Sequence, residues 1–179
     1  MTALITYFVT ALVVSFLCSL LESVLLSISI THVSVLQKNG SHSGKIMAEL
    51  KENINRPLAA ILTINTIANT VGAAGVGAQT MNLYGNEWVA FASGILTLSI
   101  LIFSEIIPKT IGTLYNKSLA SFTAYTIRSL MIIAYPFVLL SESMTSLIHS
   151  GENGRESKAS REELLAMAEI SEDEGSIDE

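Results

Sequence analysis

"ILTLSILIFSEIIPKT", residues 95–110, runs through nine residues suited to lipid and then presents an acid, a proline and a base. Glu105 sits at the foot of that run. Ionisable side chains within a membrane segment are costly and mark ion pathways, proton relays or counter-ions. The rest of the chain supports a membrane reading. Half of its 179 residues are apolar, 15% are charged, and the mean hydropathy is +0.51. An ordinary soluble domain carries about 25% charge.

Three stretches are long enough to cover a hydrocarbon core, which needs about 20 residues. They are residues 3–30, 57–80 and 87–108. The first carries one charge, Glu22, and no basic flank precedes it, so it reads as a retained helix and not a signal peptide. Pro57 suits the first turn of the second, and Trp88 at the start of the third suits an interface. Lys38, Lys45, Lys51 and Arg56 lie in the loop 31–56, whereas 81–87 has no Lys or Arg. This asymmetry predicts an outside N-terminus and a cytoplasmic first loop. Within that loop, SGKIMAELKENI (43–54) repeats Ile46, Leu50 and Ile54 at helical spacing.

The segment 118–148 is apolar but interrupted by Arg128 and broken at Pro136. Its clean run, 129–140, suits an interfacial piece better than a span. A fourth crossing would also place the acidic tail outside. The expected architecture is an all-α membrane protein: three transmembrane helices in a domain 1–148, with juxtamembrane belt helices over 118–148. Residues 149–179 read as an acidic cytosolic linker helix, and 150–179 hold ten of the sixteen carboxylates. Ser160 and Glu163, then Ser176 and Glu179, have capping-box spacing. The last pair predicts a further helix, so more protein is expected to follow.

The polar residues inside the spans are few. Ser19, Ser23 and Ser27 repeat every four residues on the first, beside Glu22. Asn65 and Asn69 lie four apart on the second. On the third, Thr97, Leu101 and Glu105 share a face in α counting. Pro108 has no N–H, so in an α-helix it leaves the backbone carbonyl of Ser104 bare next to Glu105. Hydroxyls, amides, a carboxylate and a carbonyl form an all-oxygen set, suited to Mg²⁺, Ca²⁺ or Na⁺. Counting 1.5 Å per residue places Ser23 and Asn65 each about 12 Å from the inner ends of their helices. Ser and Asn also join membrane helices by hydrogen bonds, and Glu22 equally suits a dimer contact or a water-facing position.

Other chemistry is not indicated. GAAGVGA (72–78) lies in an apolar helix without a preceding strand, so it is no nucleotide loop. Its small residues, Ala68 with Gly72, Ala73 with Gly77, and Gly75 between them, suit close helix packing. His32, His42 and His149 are isolated. The single Cys18 excludes a disulfide framework, and no catalytic motif or basic nucleic-acid stripe is present. Lys109 and Lys117 read as topology charges or snorkelling side chains.

LLESVLLSIS (20–29), INTIAN (64–69) and SEIIPKT (104–110) together resemble the transmembrane domain of the CorC/CorB and CNNM family, linked to magnesium and cobalt transport. SREELLAMAEISEDEG (160–175) is similar to that family's linker into a cytosolic CBS-domain pair. The resemblance covers essentially the whole chain, with E-x-x-P-K its most specific element. It implies a homodimer with three helices per subunit in the cell's inner (plasma) membrane, and a cytoplasmic C-terminus leading to CBS domains. It further implies Mg²⁺ export, with Na⁺ as counter-ion, and a metal site among Ser23, Ser27, Asn65, Asn69 and Glu105, to which the proline argument adds the Ser104 carbonyl. Ser19, Glu22, Thr97, Gly72, Gly75, Pro108 and Lys109 would line or support the pathway. The expectation is therefore a transporter and not an enzyme. A membrane anchor that senses or regulates other transporters is the alternative, and a passive cation channel a third.

Overall fold

The structure, a computed structural model, describes residues 1–137. The expected linker 149–179 with its two capping pairs, His149, and residues 138–148 of the expected belt lie outside the described residues. The chain is an all-α membrane protein. Three helices are long and apolar enough to cross a bilayer: α1 (Thr2–Ser27), α4 (Asn55–Tyr84) and a continuous run from Asn86 to Leu114. That third run is composite: a 3₁₀ turn (Asn86–Trp88), α5 (Val89–Ser99), a π-helix (Ile100–Ile106) and α6 (Ile107–Leu114). The shorter helices are α2 (Ile30–Lys38), α3 (His42–Glu52) and α7 (Asn116–Ile133).

The first span is shorter than the expected 3–30. Ile28 is extended, with ψ of 129°, and the Ser29 hydroxyl accepts a hydrogen bond from the His32 N–H at 3.2 Å. Ser29 thus caps α2 and ends α1, because a capping side chain satisfies an N–H that the new helix leaves orphaned. The third span is longer than the expected 87–108. Pro108 falls in the first turn of α6, where a missing N–H is tolerated, so the helix continues. Gly85 closes α4 with φ of 97°, a conformation that a β-carbon would disfavour.

Packing is concentrated at one end, called here the belt end. Cys18, Leu21, Leu25 and Ile28 of α1 meet Val33 of α2, Ile46, Met47 and Leu50 of α3, Ile61 of α4, and Ala120, Ala124 and Ile127 of α7. The amphipathic loop helix forms over His42–Glu52, with Ile46 and Leu50 buried; Ile54, expected in the same repeat, falls outside it and precedes α4. Lys51 at its end donates to the Leu26 carbonyl at 3.4 Å, and partial burial lowers its pKa. One helix, α7, runs straight through the exposed Arg128; it ends at Ile133, before Pro136. It buries Ala120, Thr123, Ala124 and Ile127, a single helical face.

Toward the opposite, hairpin end the helices present apolar side chains outward, among them Val13, Val71, Phe91, Leu98 and Phe103. That surface is suited to contact lipid acyl chains. An apolar groove of about 440 Å³ opens there between Leu4 and Phe8 of α1 and Trp88 and Phe91 beyond the turn.

α1 is the common partner. It packs along α4 on one side and along the π-helix and α6 on another, while α4 and the π-helix scarcely approach each other. Gly72 makes the first contact possible: a β-carbon there would overlap that of Ala11. Gly75 likewise gives way to the Tyr7 ring. The second small pair behaves differently from expectation. Ala73 is exposed, and a β-carbon on Gly77 would meet only Val89, at an ordinary 3.9 Å. Gly112 was not anticipated; a β-carbon there would stand 2.8 Å from that of Ser23 and 3.0 Å from the Leu20 carbonyl.

Candidate functional site

The contact of Gly72 with Ala11 sets the depth of every polar group on the first two spans. α1 and α4 are antiparallel, so each step toward the belt end on one is a step backward on the other. At about 1.5 Å per residue, Asn69 then stands level with residue 14 of α1 and Asn65 with residue 18. Ser15 lies between those levels. It is fully buried, and its hydroxyl has no hydrogen-bond partner. The Oδ1 atoms of Asn65 and Asn69 are also buried and unpartnered. Thr80 and Thr123 carry the remaining such atoms among the described residues, one toward the hairpin end and one on α7.

The third span reaches the same level. Ser104 is fully buried, and its hydroxyl donates to the Leu12 carbonyl at 2.9 Å. This bond fixes the π-helix against α1 one turn from Ser15. Glu105 follows, half-buried, with no hydrogen bond or ion pair to any described residue.

The π-helix changes which carbonyl is bare. The Ile107 N–H bonds to the Ile102 carbonyl, five residues back. Counted that way, the carbonyl facing Pro108 is that of Phe103, not Ser104 alone. Ile107 has passed Phe103 over and Pro108 has no hydrogen to offer, so the Phe103 carbonyl has neither donor. The expectation of a bare Ser104 carbonyl assumed α register. The wider turn also breaks the expected Thr97–Leu101–Glu105 face. Thr97 is exposed, and its hydroxyl bonds back to the Ser93 carbonyl at 2.9 Å. It joins neither group of polar residues. π-turns within α-helices are uncommon and recur at functional positions.

The expected ligands therefore fall into two groups. Asn65, Asn69, Glu105 and the bare carbonyl share one level, together with Ser15. Ser23 and Ser27 belong to another. Because α1 ends at Ser27 and not at residue 30, Ser23 is only about 6 Å from the end of its helix, not the expected 12 Å. Its hydroxyl donates to the Lys109 carbonyl at 2.7 Å and lies 3.0 Å from the Thr113 hydroxyl. Thr113 donates to the same carbonyl at 2.8 Å, and Ser27 to the Ser23 carbonyl at 2.6 Å. Glu22 faces Lys109 across 3.9 Å. These residues line a groove of about 390 Å³. Ser19 is buried on the stripe between the two groups.

Sequence reasoning missed Ser15, although it continues the Ser19, Ser23, Ser27 repeat by one turn. It missed Thr113, which stands four residues beyond Lys109. No group of three or more His, Cys, Asp or Glu side chains comes together among the described residues. A cation at the upper level would be held by one carboxylate with neutral oxygens. That is a hard, oxygen-only environment, suited to Mg²⁺, Ca²⁺ or Na⁺ rather than to thiolate- or imidazole-seeking metals.

A family model described as the cyclin M transmembrane N-terminal domain (CNNM) matches residues 6–179. The chain is 33% identical over 162 residues to the UPF0053 protein sll1254 of Synechocystis, a match covering 90% of this chain and 46% of that protein. It is 32% identical over 145 residues to a UPF0053 protein of Haemophilus influenzae, covering 81% of this chain and 34% of the relative. It is 32% identical over 113 residues to the UPF0053 inner membrane protein YfjD of Escherichia coli, covering 63% and 26%. The chain thus spans less than half the length of each of these relatives.

Proposed function

Because the chain belongs to the cyclin M transmembrane-domain family, we propose that it carries a divalent cation, Mg²⁺, across the membrane in exchange for Na⁺. One observation carries this reading. Ser15, Asn65 and Asn69 hold buried oxygens without partners at the level of an equally unpartnered Glu105. A buried polar group left unpaired costs about 1–3 kcal/mol. Three at one depth, level with a carboxylate and a bare carbonyl, make sense as ligands for a transient occupant.

Glu105 supplies the negative charge, and the amide and hydroxyl oxygens replace part of the ion's water. Mg²⁺ accepts near-octahedral oxygens at about 2.0–2.1 Å and gives up water reluctantly. A site with one charge and several neutral donors binds it without trapping it. Na⁺ uses the same oxygens on the return half of the cycle. The separation of α4 from the π-helix leaves α1 as the wall on which both sides move. The orientation that accompanies this proposal has the N-terminus outside and the belt end cytoplasmic, in the inner or plasma membrane. Two copies would form the working unit, and CBS domains would follow in the full-length protein.

The alternative is a membrane anchor that senses or regulates other transporters, with the polar groups as joints between helices. Ser104 and Ser23 do serve as joints. Asn65 and Asn69 have unpartnered oxygens, which favours transport. The test is Mg²⁺ flux from proteoliposomes with and without a Na⁺ gradient, for the wild type and Glu105→Ala. Na⁺-dependent flux that vanishes in the variant is the expected result. Undiminished flux in Glu105→Ala removes Glu105 from the site, and the absence of flux from folded wild-type protein returns the chain to the anchor reading.

A further inference from the structure

The groove between α1 and α6 at the belt end differs in chemistry from the level above, with Glu22, Lys109 and three hydroxyls in its lining. We propose that Glu22, Ser23, Ser27 and Thr113 hold a fully hydrated divalent cation there, and that the Lys109 ammonium keeps the place when the cation is absent. The proposal rests on the transport reading for its role, as the point where cytosolic Mg²⁺ loads, but its binding chemistry stands independently.

Three features support it. The first is the direction of the hydroxyl protons. Ser23 and Thr113 both donate to the Lys109 carbonyl, at 2.7 and 2.8 Å, and Ser27 donates to the Ser23 carbonyl at 2.6 Å. Each hydroxyl has one proton and two lone pairs. Whether both protons go to that carbonyl or one crosses the 3.0 Å between the Ser23 and Thr113 hydroxyls, each oxygen keeps a lone pair for donors in the groove. Water bound to Mg²⁺ is such a donor.

The second is size and charge. The groove is about 390 Å³, and six waters occupy roughly 180 Å³ at ~30 Å³ each. A hexahydrated ion fits, whereas a groove with Glu22 as the one carboxylate in its lining is a poor cage for a stripped one. Mg²⁺ keeps several waters and is commonly bound through one or two carboxylates. Glu22 answers that description.

The third is the looseness of the present pairing. Lys109 Nζ lies 3.9 Å from Glu22 Oε2, beyond hydrogen-bond distance, and its side chain is 53% exposed. Such a pair contributes little and is readily exchanged. A dication brings twice the charge to the same carboxylate and repels the ammonium, which has solvent to swing into. Lys109 is therefore a tethered competitor. It sets the concentration at which Mg²⁺ takes the station.

The test uses Mn²⁺ as a spin probe for Mg²⁺, with this chain in lipid nanodiscs, read by electron paramagnetic resonance with counting of bound-water protons. Two classes of Mn²⁺ are expected, one keeping its full water shell and one partly stripped. Glu22→Gln should remove the hydrated class and spare the other, and Glu105→Gln should do the reverse. Lys109→Gln should tighten the hydrated class about five- to tenfold, the weight of one unit charge near 4 Å in a water-like medium. That variant also decides the matter should Glu22→Gln fail to fold. Weaker or unchanged binding in Lys109→Gln, loss of both classes in Glu105→Gln, or a hydrated class that survives Glu22→Gln overturns the proposal. A hydrated class that depends on Glu22, in a protein that moves no Mg²⁺, keeps this station and rejects the transport reading instead.

Discussion

Gly72 of the second span lies directly against Ala11 of the first, leaving no room for a β-carbon. This contact is the register pin of the helix pair, since sliding it by one turn would carry one of Asn65 and Asn69 a turn further from Ser15. Gly72→Ala should force α4 outward and cost about 1–3 kcal/mol, as overpacked cores do. Gly77→Ala, five residues on, meets only Val89 at 3.9 Å. It should be neutral or slightly stabilising, because alanine favours helix over glycine. Thermal melting of the two variants in the same detergent gives the comparison, and equal losses would dismiss the pin.

Asn65→Leu and Asn69→Leu separate ligands from joints. Removing a buried oxygen that has no partner should leave melting unchanged or raise it. Flux should fall at least tenfold in each. Unchanged flux with lowered melting would identify both side chains as structural.

Ser104 should behave in the opposite way. Its hydroxyl spans two helices, bonding to the Leu12 carbonyl at 2.9 Å. Ser104→Ala should lower stability by about 1 kcal/mol while the folded fraction keeps most of its flux. Chemical denaturation paired with flux per folded molecule reads both quantities.

Pro108→Ala returns an N–H to the position facing the Phe103 carbonyl. That N–H should bond the Phe103 carbonyl and complete the π register, gaining about 0.5–1.5 kcal/mol for one hydrogen bond. The carbonyl would no longer be open to an ion, and Na⁺-dependent flux should drop severalfold. Hydrogen exchange across residues 100–110 should slow. Faster exchange with full flux would show that the bare carbonyl has no part in the cycle.

The three crossings were legible because lipid imposes long apolar runs, and no other water-facing or buried element has that signature. The loop helix was legible from Ile46 and Leu50. The depth of Ser23 was not, because it hinged on one hydroxyl: Ser29 caps α2 and stops α1 at Ser27. Ser15 was in reach as the next step of the serine repeat. Its significance was not, since that comes from having no partner, a property of the fold. The π-turn left no mark on composition or periodicity. It occurs where Ser104 packs on α1 ahead of a proline, a tertiary contact that local counting does not carry. The bare carbonyl was accordingly assigned one residue from the one the π register adds.

The concentration of the core at the belt end gives the molecule the mechanics of a lever. Leu21→Ala there should cost about 2–5 kcal/mol, because Leu21 is fully enclosed within the shared cluster. Beyond that cluster, among the described residues, α1 is held mainly along its seam with α4, where Ala11 meets Gly72, so the two would tilt together. From Leu25 to Thr2 the helix extends about 35 Å at 1.5 Å per residue. A tilt of ~10° about the cluster would swing its tip by roughly 6 Å, into the slack of the apolar groove by Trp88. The same tilt displaces Ser15 by under half as much, still more than a metal–oxygen bond length of about 2.1 Å. Rocking on this fulcrum would break a coordination shell with the stroke that opens the far mouth, joining ion release to access in a single rigid movement.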